Sequence, residues 1–157
     1  MQYKRFYLWF VYLAVPFSGA AIDIYTPSLP AMVGALQTTQ TMIQLTITLY
    51  ILGFGLGQPI IGALTDHYGR YKFLLLGLVA QVAVCLLIVL NTNSMILLLL
   101  RFLQGLAVAC ISVPARAILS DLYSGLEFKK KVTNMTLAWS TSPIIAPWIG
   151  GHLQHML

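Results

Sequence analysis

Gly62-Ala63-Leu64-Thr65-Asp66-His67-Tyr68-Gly69-Arg70 is the one tight cluster of charge and glycine between two long apolar runs. A stretch carrying Gln44, Gly53, Gly57 and Pro59 leads into it, and Lys72-Phe73-Leu74-Leu75 leads out. The pattern is that of two membrane spans joined by a very short loop. Gly69 is expected to supply the positive φ that so tight a turn needs, and Gly62 to let a neighbouring helix come close. Asp66 falls at the C-terminal end of its own helix, against the negative end of the dipole, so it needs a partner elsewhere.

Composition points the same way. The chain is 59% hydrophobic and only 8% charged, where soluble domains carry about 25% charged residues. Mean hydropathy is +0.83. In a soluble protein a net charge of +5 would suggest an anionic partner. Here the basic residues sit at the ends of apolar runs, where they orient a chain in the bilayer, and no nucleic-acid partner is expected. Cys85 and Cys110 fall inside apolar runs and read as small core residues, with neither a disulfide nor a metal site expected.

The fold class expected is an all-α polytopic membrane bundle. Five spans can be marked, at about 7–29, 42–64, 73–90, 95–115 and 132–152, each near the ~20 residues that cross the hydrocarbon. Lys4, Arg5, Arg70, Lys72, Lys129, Lys130 and Lys131 fall in the N-terminus, loop 2–3 or loop 4–5. Loops 1–2 and 3–4, near Gln37-Thr38-Thr39 and Asn91-Thr92-Asn93, carry no basic residue. That asymmetry predicts a cytoplasmic N-terminus, with Tyr3, Tyr7, Trp9 and Tyr12 in an aromatic belt at the inner interface. Lys4-Arg5, the apolar run and Ser18-Gly19-Ala20 also have the outline of a cleavable signal peptide. Pro16, the many aromatics and four later spans favour an uncleaved first helix.

Two charges lie inside spans. Asp23 is roughly 22 Å from the cytoplasmic start of the first span, and Arg101 about 21 Å from the inner face along the fourth. Opposite charges at one level can form a buried ion pair, make separate interhelical hydrogen bonds, or handle a proton or substrate; all three stay open. Each costs about 2.5–3.5 kcal/mol at mid-membrane, which argues against either facing lipid. Arg101, Gln104 and Gly105 share a face by i, i+3, i+4 spacing, continued by the small residues Ala109 and Ser112. Arg116, roughly 31 Å from Met95, reads as an interface anchor. Asp121, on the same side as Arg70, reads equally as a solvated carboxylate or as its partner.

The fifth span contains Ser142-Pro143-Ile144-Ile145-Ala146-Pro147-Trp148-Ile149-Gly150-Gly151. Pro143 and Pro147, one turn apart, kink the helix and free backbone carbonyls, and Gly150-Gly151 permits close approach. In the first span, Pro27 and Pro30 bend or end the helix soon after Asp23.

These stretches resemble motifs of the major facilitator superfamily, in the expected order and across essentially all 157 residues. Gly62 to Tyr71 is similar to the loop 2–3 signature G-x-x-x-D-[RK]-x-G-[RK]-[RK], with His67 and Tyr71 replacing usual basic residues. Arg101 to Gly105 is similar to the fourth-span motif R-x-x-Q-G. Ser142 to Gly151 resembles the antiporter motif G-x-x-x-G-P-x-x-G-G, with Ser142 and Ala146 in place of two glycines. Asp23 to Pro30 resembles the D-x-Y-x-P-x-x-P segment of Bcr/CflA-type drug:proton antiporters.

The resemblance implies multidrug efflux in exchange for protons, a small drug-like substrate and no cofactor. Asp23 would exchange protons, Arg101 would tune the acid and Gln104 would help fix their geometry. Gly62, Asp66, Gly69, Arg70 and Asp121 would form an inner gate, and Ser142, Ala146, Pro147, Gly150 and Gly151 the antiporter element. Localisation would be the bacterial inner membrane. Facilitators carry twelve spans in two halves, with sites at the midplane between them. The chain is therefore expected to be the N-terminal part of a transporter (a fragment, a disrupted gene or a partial record), inactive without its C-terminal half. The alternative is a non-transporting membrane interaction protein built on small-residue helix faces. An enzyme comes third, because His67, His152 and His155 lie at opposite faces and build neither a metal cluster nor a nucleophilic triad.

Overall fold

A computed structural model describes residues 2–24 and 26–156, and their side chains except at 2–7, 10, 17 and 153–156. Expectations that rest on the side chains of Tyr3, Lys4, Arg5, Tyr7, Tyr25 and His155 lie outside the described residues. The chain is all-α. Its helices are α1 (Gln2–Asp23), α2 (Leu29–Ala35), α3 (Gln40–Tyr68), α4 (Arg70–Leu90), α5 (Ser94–Leu122), α6 (Gly125–Ser140) and α7 (Ser142–Met156), with a 3-10 turn at Thr26–Ser28 between α1 and α2. Among the described residues three helices are long and apolar enough to cross a membrane: α3, α4 and α5.

Local chemistry sets the boundaries. Thr39 caps α3 by accepting from the Met42 amide, and Asn93 caps α5 by accepting from Met95 and Ile96. Gly69 has φ of +100° and separates α3 from α4 by one residue, so the turn does need a residue without Cβ. Two expected spans differ from the helices observed. The helix of the first stops at Asp23, because Pro27 lacks an N–H and disfavours helix in the residue before it. The fifth is split at Thr141, whose hydroxyl and amide turn back to the Ala138 carbonyl. Pro143 and Pro147 withhold two of the donors that would carry a continuous ladder through this point.

Packing centres on α5, which lies against α3 on one side and α4 on the other. The approach to α3 runs along glycines. A Cβ on Gly105 would strike the Tyr50 carbonyl and the Phe54 amide, and one on Gly53 would strike the Phe102 carbonyl. Gly62, expected to be a close-approach position, instead has open space where its Cβ would stand. Gly62 stands off the buried stripe of α3, which runs through Gly53, Gly57, Ile61 and Thr65. Toward the Lys131 end, a core of Val11, Val15, Leu74, Ile111, Leu119 and Met135 ties α1, α4, α5 and α6 together. Tyr12 turns into this region and donates to the Lys131 carbonyl at 3.1 Å, while Trp9 is exposed. The outer face of α4 presents Val79, Val82, Leu86 and Val89, an apolar stripe suited to lipid.

Candidate functional site

The α3–α4 turn and the end of α5 bring three charges together. The helical restart at Arg70 puts its guanidinium over the last turns of α5. Nη2 lies 3.4 Å from Asp66 Oδ1, one turn back across the Gly69 break, and Nη1 pairs with Asp121 Oδ2. Nη1 also donates to the Ala117 carbonyl and, at 3.5 Å, to Ser120 Oγ. Asp66 and Asp121 are 69% and 57% exposed, so this cluster sits in a high-dielectric setting where ion pairs are weak and reversible.

A second polar cluster is buried. Arg101 is 4% exposed and Gln104 2%. One helical turn separates them on α5, and Arg101 Nη1 donates to Gln104 Oε1 at 2.8 Å. The Gln104 amide then donates to Cys85 Sγ of α4 at 3.4 Å. Asp23, at the C-terminus of α1, is half-buried and accepts from Ser142 Oγ at 3.0 Å. The Tyr50 hydroxyl of α3 is within electrostatic reach of Arg101, Asp23 and Cys85. Sequence reasoning missed Tyr50 and Cys85. Tyr50 lies on the glycine-lined face of α3, which is the signal that could have found it.

The α7 residues fit around the end of α1. Ser142 and Ala146 are buried, and a Cβ on Gly150 would strike the Ile24 carbonyl. Gly151 has open space beside it, and Pro147 is half-buried within the helix. The small residues therefore seat α7 against the backbone that follows Asp23. Replacing Ser142 by the glycine of the motif would remove the hydroxyl that holds the acid.

Between α1, α3, α5 and α6 lies a cleft of about 1020 Å³. Tyr50, Phe54, Phe128, Met135 and Trp139 give it an apolar, aromatic wall, and Ser112 and Gln58 add polar edges. Arg116, read from sequence as an anchor, is exposed and lines this cleft. Among the described residues no group of three or more His, Cys, Asp or Glu side chains could hold a metal ion.

Residues 8–156 match the Major Facilitator Superfamily. The chain belongs to that family of transporters, and it is an integral, multi-pass membrane protein. It is 33% identical over 130 residues to an uncharacterized MFS-type transporter of Bacillus subtilis, covering 83% of this chain and 32% of that one. It is 37% identical over 120 residues to the chloramphenicol resistance protein of Pseudomonas aeruginosa, with coverage of 74% and 29%. A bicyclomycin resistance protein homolog of Haemophilus influenzae is 32% identical over 133 residues, with coverage of 84% and 33%. The chain thus spans about a third of the length of these relatives.

Proposed function

We propose that this chain is the N-terminal part of a drug exporter that exchanges small organic molecules for protons across a bacterial inner membrane, with its N-terminus in the cytoplasm. The Ser142–Asp23 hydrogen bond carries the reading. It joins the carboxylate at the end of α1 to the first residue of the proline-interrupted α7, so a change in the acid's charge is felt by an element built to bend. Arg101, held by Gln104, supplies a fixed buried positive group. Similarity to drug-resistance proteins supports a drug-like substrate. The cleft is open on one side and would be completed by the C-terminal half, so the segment alone would not transport.

The test is proton-driven efflux by the complete transporter in everted vesicles. Asp23→Asn keeps the shape and an acceptor oxygen but cannot ionise, so it should abolish efflux while expression stays near parental. Normal proton-coupled efflux would remove Asp23 as the coupling group. Orientation is tested separately by single-cysteine labelling with an impermeant reagent, in a background lacking Cys85 and Cys110. Position 93 should label in intact cells and position 130 should not; the reverse pattern would overturn the topology.

A further inference from the structure

The cleft contains a charge that neither polar cluster uses. Arg116 is the only charged residue among its described lining residues. Both ion pairs found among the described residues belong to Arg70, and neither involves Arg116. Ser112 lies one turn away on the same face of α5, and Gln58 of α3 adds an amide at the cleft edge. Phe54, Phe128 and Trp139 supply ring surface.

This combination has a chemical sense. A guanidinium presents a planar fork of donors that matches a carboxylate or sulfonate bidentately. Aromatic walls take up a flat apolar body. A volume of about 1020 Å³ admits a drug-sized molecule with space to spare. An organic cation would meet the same rings but a like charge, with no acid among the described lining residues to offset it.

We propose that Arg116 makes the cleft selective for small aromatic acids over organic cations. The inference rests on the cleft being where the exported compound binds, as in the function proposed above. An acid entering from the cytoplasm would place its carboxylate on Arg116, with Ser112 or Gln58 donating to the second oxygen. Its ring would lie against Trp139 and Phe128.

The experiment is equilibrium dialysis with the purified complete transporter in neutral detergent. The probes are 1-naphthoate, the neutral 1-naphthamide and 1-naphthylmethylammonium. Naphthoate should bind more tightly than the ammonium. Arg116→Gln should weaken naphthoate by about tenfold, as expected for losing a charge-assisted hydrogen bond, and leave naphthamide unchanged. Arg116→Lys should give an intermediate value, because an ammonium keeps the charge without the fork.

Unchanged naphthoate affinity in Arg116→Gln would overturn the proposal, as would an ammonium probe that binds the parent as tightly as naphthoate. Equal loss of all three probes would make Arg116 a packing residue and overturn it too. Phosphatidylglycerol added to the micelles should not erase the preference for naphthoate. If it does, while phosphatidylcholine does not, Arg116 is an anchor for lipid headgroups and the proposal fails. Binding needs no gradient, so a preparation with selective binding and no proton-driven efflux would sink the exporter reading and leave this one standing.

Discussion

Arg70 and Arg101 are both tied to α5, yet they occupy different media. Arg70 has a side chain 26% exposed and is shared between two carboxylates that face water. Arg101 is almost fully buried and donates to a neutral amide that in turn reaches a thiol. At the surface an ion pair gains little and is lost easily, which suits an element that opens and closes. In the interior a charge without hydrogen-bond partners is costly, so the chain places Gln104 one turn away to meet it. The two arginines thus sit in different physical settings: one in a solvent-exposed ion pair, the other in a buried chain of neutral hydrogen-bond partners.

Substitutions can break or sharpen that contrast. The largest effect should come from Arg101→Ala, which strands the Gln104 acceptor and empties buried volume. A loss on the order of 3 kcal/mol is expected, read as a lowered unfolding midpoint in detergent. A change no larger than that of Arg70→Ala would erase the distinction between the clusters.

Gly105→Ala comes next. Its methyl would meet backbone of α3 that cannot rotate away, and overpacking of this kind costs about 1–3 kcal/mol. Gly62→Ala, with open space around it, should instead fall within about 1 kcal/mol of the parent, and on the favourable side. Equal destabilisation by both would show that a partner packs on Gly62 in the complete protein.

Ser142→Ala removes one hydrogen bond to Asp23 and should cost about 1 kcal/mol. In an Asp23→Ala background the same change should cost less, because the acceptor is already gone. Additive effects would mean that the two side chains do not act together.

The smallest effect on stability belongs to Arg70→Ala, about 0–1 kcal/mol and shrinking further as salt rises. Transport is the more sensitive readout there. If the cluster steadies the outward-open state, Arg70→Ala should slow transport and make a cysteine in the inner half of α3 more accessible, with Arg70→Lys rescuing only part. Unchanged accessibility and rate would leave Arg70 as an orientation charge.

The parts of this arrangement that were legible in the sequence are those written in neighbouring residues. Apolar runs of span length, the one-residue break at Gly69 and the i, i+3 placement of Arg101 and Gln104 all follow from local chemistry. Contacts between distant segments were mostly not legible: Asp121 reads equally as a solvated carboxylate or as the partner of Arg70, with which the structure pairs it. Asp23 and Ser142 are 119 residues apart, and nothing in either stretch states that α7 folds back onto the end of α1. Close approach was expected at Gly62, and nothing in the sequence stated that Gly53 would meet α5 while Gly62 stayed open. For Arg116, counting helical rise gave a depth and no lateral surroundings, so its place in the cleft needed the assembled helices. The split at Thr141 was half visible: two prolines announce a disturbance, while the turn depends on the Thr141 hydroxyl reaching back to Ala138.

The contrast between a proposed coupling centre and a surface contact is tested most directly by measuring two modes of transport in the same vesicles. Proton-driven efflux requires the protein to return with a proton, whereas exchange of labelled for unlabelled substrate without a gradient requires only binding and reorientation. For a compound that the complete parent exports, Asp23→Asn should lose efflux and keep exchange, while Arg70→Ala should slow both. Efflux by Asp23→Asn at the parental rate, under the same pH gradient, would contradict the assignment of the buried cluster to proton coupling.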